Sequence, residues 1–343
     1  MEPLIFILGG SSMRMLAQFL FVLVTALLLA GCSNEAGVKE IKLAHNQTLD
    51  HPVHLSLVEF GRLVEEKSNN KIQVEIYPNG QLGSEREVLE LTQSGAVDVA
   101  KVSASALEGF ESDYSIFSLP YVFEDYEEFE KKMNDKTITD QLYYKTEDIG
   151  IIALTYYNAG SRNLYTKDRE VHTVEDVAGL KTRVQPSQTS VNMIEAFGGL
   201  PTPMAYGEVY TALQSGVIDA AENNETALVG NNHGEVAKYY MYTGHQIVPD
   251  MLIINAKRFN DLTDDEKAII QEAAKESTLY HETVWGKTIK EQTETAKNKM
   301  GVHFIEVDKT SFIDAVKPLH EAYAKDEKTK DIYQLIKGNS SNE

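Results

Sequence analysis

An eight-residue pattern occurs twice in this chain, 121 positions apart, and constrains the fold more than any other feature of the sequence. The first copy is Gln-Ser-Gly-Ala-Val-Asp-Val-Ala at 93–100, and the second is Gln-Ser-Gly-Val-Ile-Asp-Ala-Ala at 214–221. In each copy an amphipathic helix is predicted to end at the glycine, which tolerates a left-handed backbone, and a buried strand follows. Such junctions also recur by chance in α/β proteins, but the length of the match favours two similarly built lobes.

Short apolar strands alternate with helices around the first copy of this pattern. Strands are predicted over 41–45, 72–77 and 96–102, and helices over 51–67 and 84–94. Such alternation predicts parallel or mixed sheets covered by helices, which is the α/β fold class.

Residues 263–300 carry one continuous helical pattern. Thr263 and Glu266 form a capping box at its start, and Gly301 ends it. The apolar positions of the pattern are Ile269, Ile270, Ala273, Ala274, Leu279, Trp285, Ile289, Ala296 and Met300. At about 1.5 Å per residue this helix would be roughly 55 Å long, so it is predicted to bridge both lobes. Two helices with a bend at 277–280 are the alternative.

The N-terminal segment has the pattern of an export signal. Arg14 precedes an apolar run at 16–30, which is too short to cross a bilayer comfortably but suits a signal peptide. The run ends Leu-Ala-Gly-Cys, which resembles the lipobox of bacterial lipoproteins, so we expect 1–31 to be removed and Cys32 to be acylated. A plain signal peptide with an incidental cysteine is the alternative, and translation from Met13 or Met15 would shorten the segment. A lipid on Cys32 would hold the protein at the outer face of the cell membrane.

Charge and motif content exclude several classes of function. Acidic residues outnumber basic ones by 52 to 32, and a net charge of −20 disfavours nucleic acid as a partner. The single cysteine excludes a disulfide framework and a cysteine-rich zinc site. The sequence contains no nucleophile elbow, phosphate loop, zinc-protease motif or dinucleotide fingerprint. We therefore predict a protein without catalysis, metal or cofactor.

Arginine is scarce, since only seven of the 32 basic residues are arginine. Arg183 lies near the carboxyl end of a predicted strand at 180–185, and Arg162 follows another strand at 151–157. Ligands of open α/β sheets bind at such strand ends, where two guanidinium groups can grip a carboxylate. An arginine–aspartate pair inside one lobe is the alternative for these side chains.

The same segments resemble the solute-binding proteins of TRAP transporters, the DctP family, over about residues 40–335. The matching motifs are Tyr-Pro-Asn-Gly-Gln-Leu-Gly at 77–83, Tyr-Asn-Ala-Gly-Ser-Arg at 157–162, Gly-Leu-Lys-Thr-Arg-Val at 179–184, Pro-Thr-Pro-Met-Ala-Tyr at 201–206, and 208–219 running into Glu222 and Asn223. This resemblance implies a two-lobe, periplasmic-binding-protein-like α/β fold with a long helix spanning both lobes. The expected boundaries are 38–159 and 249–288 for lobe I, and 160–248 and 289–338 for lobe II.

The resemblance also implies a binding site for a small organic acid. Arg183 would form the main salt bridge with the ligand carboxylate, with Arg162 beside it. Asn223 would hydrogen-bond the same carboxylate or a neighbouring hydroxyl, and Tyr206 would pack over the ligand. The residues expected on the facing lobe are His45, Asn46 and Glu85, the last of them towards the distal end of longer ligands.

Three positions bear on which acid is bound. Members that bind sialic acid carry Glu and Arg where this chain has Ser103 and Ala106, which argues against sialic acid. Asp250 resembles the acidic position of members that bind sugar acids, where a carboxylate accepts sugar hydroxyls and repels a second ligand carboxylate. Capping of a helix or loop is the alternative role for Asp250. We therefore expect a sugar acid such as a hexuronate, with a C4-dicarboxylate as the alternative, for which Lys101 or His45 would supply a second cation.

The resemblance further implies the partners. The closed protein would deliver its ligand to a permease made of a small and a large integral membrane subunit. A role as the ligand-binding partner of a membrane sensor is the alternative, and the sequence does not distinguish the two.

Overall fold

The computed structural model describes residues 38–338. The strands are β1 (Lys39–Ala44), β2 (Ile72–Tyr77), β3 (Val99–Ser103), β4 (Ile151–Tyr157), β5 (Ser161–Thr166), β6 (Lys181–Val184), β7 (Leu200–Pro203), β8 (Ala220–Asn223), β9 (Tyr239–Ile247), β10 (Asp250–Asn255) and β11 (His303–Ile305). The α-helices are α1 (Pro52–Lys67), α2 (Glu85–Ser94), α3 (Ala104–Leu107), α4 (Tyr126–Met133), α5 (Lys136–Lys145), α6 (Gln188–Ala196), α7 (Val209–Ser215), α8 (Thr226–Gly230), α9 (His233–Val236), α10 (Ala256–Asn260), α11 (Asp264–Lys299), α12 (Thr310–Lys325) and α13 (Lys330–Lys337). Short 3₁₀ helices lie at Ser112–Ser118, Glu147–Ile149, Val174–Val177 and Tyr206–Glu208. The predicted signal peptide and Cys32 lie outside the described residues.

The strands form two mixed sheets. The first sheet has the order β2-β1-β3-β10-β4, and the second has the order β11-β9-β5-β8-β6-β7. In the first sheet β1 and β3 are parallel while β10 runs antiparallel to its neighbours. In the second sheet β8, β6 and β7 are parallel, and β5 is antiparallel to both β8 and β9. Two sheets with helices around them confirm the predicted fold class.

Both copies of the repeated pattern form the same joint in these two sheets. Gly95 ends α2 and Gly216 ends α7, with left-handed φ angles of 80° and 76°. The strands that follow, β3 and β8, are inner strands of their sheets. Asp98 and Asp219 each accept the backbone N–H of a lysine on the neighbouring parallel strand, at 2.8 and 3.0 Å. The repeat therefore encodes how a helix returns to a sheet in each lobe.

Helix α11 is a single helix of 36 residues, so the predicted alternative of two bent helices is wrong. Thr263 and Glu266 form the predicted capping box. Ile270 and Ala273 pack in the core beside the first sheet, whereas Ala296 packs in the core beside the second. The helix therefore spans both lobes, as predicted.

Leu279 is an exception to the predicted apolar stripe of this helix. Its side chain is 62% exposed, and Ser277 and His281 occupy the buried face instead. The Ser277 hydroxyl lies 2.8 Å from the Tyr157 hydroxyl, and His281 Nε2 lies 2.7 Å from the carbonyl oxygen of Asn158. Buried polar groups are tolerated when they are hydrogen-bonded, and here they fasten the helix to the end of β4.

The chain passes from the first sheet to the second between β4 and β5 and returns between β9 and β10. The predicted boundaries place all of 289–338 with the second lobe, whereas α13 contributes Ile332 and Ile336 to the core of the first sheet. The other boundaries stay a prediction. Within residues 38–338, no helix is both long and apolar enough to cross a membrane.

Candidate ligand-binding site

A cavity of about 280 Å³ lies between the two sheets and is lined by residues of both. Its walls include the carboxyl end of β3 and the adjacent start of β10 on one side, and the ends of β6 and β8 on the other. The predicted site residues that line the cavity are Arg183, Arg162, Asn223, Tyr206, Asn46, Glu85 and Asp250. The eighth, His45, does not line it. The roles of these residues towards a ligand stay predictions, but the fold brings seven of them to one place.

Arg162 forms the pair inside the lobe that the sequence left open as an alternative, although its partner is a glutamate. Its Nε and Nη2 atoms donate to the two carboxylate oxygens of Glu222 at 2.5 and 3.0 Å, and both residues are buried. The contact follows from strand pairing, because β5 and β8 are adjacent and antiparallel. Burial would raise the pKa of Glu222, but the charge of Arg162 and the contact with His245 lower it to about 2. The Nη1 atom of Arg162 donates a hydrogen bond to Asn223 Oδ1 at 3.1 Å.

Arg183 is a buried cation of the cavity that has no carboxylate partner of its own among residues 38–338. It is 2% exposed, and its Nε and Nη2 atoms donate to the Met204 carbonyl oxygen at 3.2 and 3.0 Å. Within residues 38–338 it forms no ion pair, and its Nη1 has no hydrogen-bond partner. Burial lowers its pKa, Glu222 opposes that effect, and the like charge of Arg162 adds to it. A buried, uncompensated guanidinium is costly unless an anion binds, so this position favours an anionic ligand.

Tyr206 and Asn223 complete the wall formed by the second sheet. The Tyr206 ring lies against the Arg183 guanidinium at 5.7 Å, and its hydroxyl donates to Asn231 Oδ1 at 2.8 Å. Asn223 Oδ1 accepts from Arg162 and from the backbone N–H of Asn224, which leaves the Asn223 Nδ2 donors without a partner among the described residues. This wall therefore presents donors, and we call it the donor wall: Arg183, Arg162, Asn223 and Tyr206.

The facing wall is built around a buried lysine. Lys101 is 1% exposed, and its Nζ donates to Asn46 Oδ1, Glu85 Oε1 and Asp250 Oδ1 at 2.9, 3.0 and 3.2 Å. The Ser103 backbone N–H donates to the same Glu85 oxygen at 3.2 Å. Among residues 38–338, Glu85 Oε2 and Asp250 Oδ2 have no hydrogen-bond partner. This wall presents acceptors, and we call it the acceptor wall: Asn46, Glu85, Lys101 and Asp250.

The alternative roles predicted for Lys101 and Asp250 do not fit their contacts in the structure. All three ammonium protons of Lys101 have acceptors, so it is not a second cation for a ligand carboxylate. Asp250 begins β10 and pairs with Lys101, so it does not cap a helix. Burial raises the pKa of Asp250, the charge of Lys101 opposes this rise, and Glu85 reinforces it.

His45 lies behind the acceptor wall, and His51 lines the cavity instead. His45 Nε2 lies 3.0 Å from His54 Nδ1, and burial together with the charges of Lys101 and His54 lowers the pKa of His45 to about 3. His51 Nδ1 accepts from the backbone N–H of Val53, so its proton is on Nε2, which donates to Thr226 Oγ1 at 3.1 Å. The position of His51 directly before Pro52 at a helix start was the signal in the sequence, since capping residues face the end of their helix.

The bond between His51 and Thr226 links the two lobes across the cavity. A second link between the lobes is formed by the Glu108 carboxylate, which accepts from Ser187 Oγ at 2.5 Å and from the backbone N–H of Thr189 at 3.0 Å. Ser187 and Thr189 form the N terminus of α6, where a negative charge is favoured. The structure is therefore one in which both lobes touch around the cavity.

Comparison with known proteins gives a consistent result. The sequence model of the DctP family, "Bacterial extracellular solute-binding protein, family 7", matches residues 43–326. A TRAP periplasmic solute-binding protein from Anaerococcus prevotii, solved with bound D-glucuronate, is 40% identical with a TM-score of 0.84 over 87% of this chain and 97% of that chain. Another from Sulfitobacter, solved with bound β-D-galacturonate, is 33% identical with a TM-score of 0.84 over 87% of this chain and 99% of that chain. A C4-dicarboxylate-binding periplasmic protein of Rhodobacter capsulatus is 29% identical over 83% of this chain and 86% of its own length.

Proposed function

Because the chain belongs to the DctP family of bacterial extracellular solute-binding proteins, we propose that it captures a hexuronate for a TRAP-type transporter. The sugar acid would lie in the cavity with its carboxylate at the donor wall and its hydroxyls at the acceptor wall. The bound glucuronate and galacturonate of the two related structures support this choice of ligand.

The uncompensated guanidinium of Arg183 is the observation that carries this proposal. The two guanidinium groups of the donor wall have one carboxylate beside them, that of Glu222, so the net charge of these three groups is one positive charge. A single ligand carboxylate neutralises it. Arg183 Nη1 and Asn223 Nδ2 would donate to that carboxylate, with the remaining Arg162 proton on Nη1 beside them. In a water-excluded cavity such charge-assisted hydrogen bonds are stronger than at a surface.

The acceptor wall favours a hydroxylated ligand over a dicarboxylate. It holds one ammonium group and two carboxylates, so its net charge with both acids ionised is one negative charge. A second ligand carboxylate would face Glu85 and Asp250 in a buried setting, where like charges repel strongly. Sugar hydroxyls would instead donate to the open oxygens of these two residues. We therefore favour a hexuronate over the C4-dicarboxylate alternative.

Binding would proceed by closure of the lobes. The ligand would dock on the donor wall first, and the acceptor wall would then close by bending where the chain crosses between the sheets. Closure would exclude water from the ion pair at Arg183 and would form the bonds from His51 to Thr226 and from Glu108 to α6.

After closure, the protein would deliver its ligand to a permease of one small and one large integral subunit, unaltered. Acylation of Cys32 would anchor it at the outer face of the cell membrane. Both the lipid anchor and the absence of turnover are part of this proposal.

A ligand panel tests the proposal directly. Thermal unfolding of the protein would be followed with D-glucuronate, D-galacturonate, sialic acid, succinate and D-glucose, and the dissociation constants would be measured by calorimetry. A ligand at a thousandfold excess over its dissociation constant adds about 4 kcal/mol of stability, which gives a clear shift. We expect the two uronates to bind and to be recovered unaltered. A response to succinate alone would retain the role of Arg183 but contradict the sugar-acid assignment, and no response to any carboxylate would contradict the proposal.

A further inference from the structure

We propose that Lys101 is the positioning residue for hydroxyl recognition: it holds the carboxylates of Glu85 and Asp250 so that one oxygen of each is open to ligand hydroxyls. This inference rests on the proposed function and deepens it. The resemblance implies for Lys101 at most the role of a second cation for a ligand carboxylate. The geometry assigns it the role of a positioning residue instead.

The contacts of Lys101 carry the first step of the argument. An ammonium group has three N–H donors, and here each one has an acceptor, on Asn46, Glu85 and Asp250. No donor is left for a ligand. The lysine also takes only one oxygen from each carboxylate, Glu85 Oε1 and Asp250 Oδ1, although it lies between them. The second oxygen of each acid therefore keeps its lone pairs for another donor.

The charges around the two acids carry the second step. The ionisable groups near this wall are Glu85 on α2, Lys101 on β3, Asp250 on β10, His45 after β1, His51 and His54 at the start of α1, and Arg162 and Tyr206 across the cavity. Burial lowers the pKa of each of the three histidines, and the charge of Lys101 further lowers the pKa of His45 and His51, so the charged form of each ring is disfavoured. In the described part of the chain, Lys101 is the one cation that forms an ion pair with Glu85 or Asp250.

Removal of this cation would change the chemistry of the wall. Burial and the charge of Glu85 raise the pKa of Asp250, and Lys101 opposes the rise. Without Lys101, the carboxylates of Asp250 and of the partly exposed Glu85 would lie close together without a cation, which would raise the pKa of one of them further, as in other carboxylates that share a site. The protonated acid would offer an O–H donor where a sugar hydroxyl needs an acceptor. It would also be free to rotate away from the cavity.

The test separates hydroxyl recognition from carboxylate recognition by using two ligands. D-glucuronate has both features, whereas tetrahydropyran-2-carboxylate has the ring and the carboxylate but no hydroxyls. For Lys101→Met we expect affinity for D-glucuronate to fall at least about tenfold, since hydrogen bonds to charged acceptors are lost. Affinity for tetrahydropyran-2-carboxylate, which depends on Arg183, should change by less than about threefold.

The pH profile supplies a readout that a merely structural role would not move. Hydroxyls bind the ionised acceptors, so a ligand that requires them binds more weakly as these acids take up protons. In Lys101→Met, affinity for D-glucuronate should therefore begin to weaken at a higher pH than in the unsubstituted protein as the pH is lowered, because the pKa of an acid pair without its cation is raised. In the unsubstituted protein Lys101 opposes the rise in the pKa of Asp250, so this weakening should begin at a lower pH.

Two further variants keep the test decisive. Lys136→Met, at an exposed lysine on α5, is the matched control and should leave both ligands and both profiles unchanged. Lys101→Gln retains two N–H donors without the charge, and it carries the same comparison if Lys101→Met does not fold. If Lys101 variants bind both ligands normally, or lose both equally, the inference is overturned. If the unsubstituted protein fails to bind D-glucuronate, the proposed function itself fails, which is a separate outcome.

Discussion

Both walls of the cavity contain arginine or lysine paired with an acid, but their net charges are opposite. The donor wall combines two buried arginines with the buried Glu222 beside them, whereas the acceptor wall combines one buried lysine with the buried Asp250 and the partly exposed Glu85. In both walls an ion pair with a buried cation fixes the geometry. In the donor wall the unpaired Arg183 is left for a ligand, whereas in the acceptor wall both acids pair with Lys101 and each keeps one oxygen for a ligand. The number of acids around each cation, rather than the presence of a cation, therefore decides which ligand groups a wall can bind.

The largest expected effect comes from breaking the pair that sets the charge of the donor wall. Glu222→Gln would leave Arg162 buried without a counter-charge, and such a loss costs about 3–5 kcal/mol of the free energy of unfolding. Chemical denaturation at neutral pH measures this loss. Glu59→Gln, in an exposed pair with Arg62, is the matched control and should cost less than about 1 kcal/mol. A Glu222→Gln protein as stable as its parent would show that the pair does not hold the wall together.

The second effect concerns the unmatched cation itself. Arg183→Lys keeps the charge but loses the planar fork and its contact with Tyr206, so affinity for D-glucuronate should fall at least about tenfold. Calorimetry gives the dissociation constants. Arg169→Lys, at an exposed arginine of the same lobe, should leave them unchanged. Equal affinity in Arg183→Lys would refute carboxylate binding through the guanidinium fork.

A third substitution tests the opposite charge of the acceptor wall. Asp250→Asn would remove the excess negative charge, so affinity for D-glucuronate should fall about fivefold, while that for the corresponding dicarboxylate, D-glucarate, should rise relative to it. Competition calorimetry with both ligands measures the ratio. Asp261→Asn, in an exposed pair with Lys257, serves as the control. An unchanged ratio in Asp250→Asn would mean that charge at this wall does not select the ligand.

The smallest effect is expected for one of the two contacts that link the lobes at the cavity, the hydrogen bond between His51 and Thr226. Thr226→Val removes the hydrogen bond that Thr226 Oγ1 accepts from His51 and the one that it donates to Asn224 Oδ1. Only the first joins the lobes, so D-glucuronate binding should weaken about threefold, the effect of one neutral hydrogen bond. Trp285, the single tryptophan, lies 6.2 Å from the His51 ring and would report ligand binding by its fluorescence. Thr283→Val on the exposed face of α11 is the control. Loss of all binding in Thr226→Val would contradict the secondary part given to this contact.

Local patterns in the sequence predicted the framework well. The repeated pattern, the capping box at Thr263 and the glycine ends of helices act through neighbouring residues, so they can be recognised without knowledge of the fold. The exposed position of Leu279 could not be predicted, because the polar groups that replace it in the interior find partners on β4, more than a hundred residues away.

The site likewise combines positions that the local sequence predicts with pairings that depend on the fold. The position of Arg183 at a strand end is local, so the sequence indicated it. That Arg162 pairs with Glu222 depends on the register between β5 and β8, and that Lys101 is neutralised depends on β10 and α2 meeting beside β3. The sequence predicts His45 in the site, whereas in the structure its ring contacts His54 and does not line the cavity.

Short-range patterns in the sequence are enough to locate the two similar joints, the long helix and the segments that carry the polar groups of the site. Which of those groups are already paired and which remain open depends on contacts that form only in the folded protein. The physical reason is that burial makes an unpaired charge costly, so each charged side chain is defined by partners that only folding brings within hydrogen-bond distance.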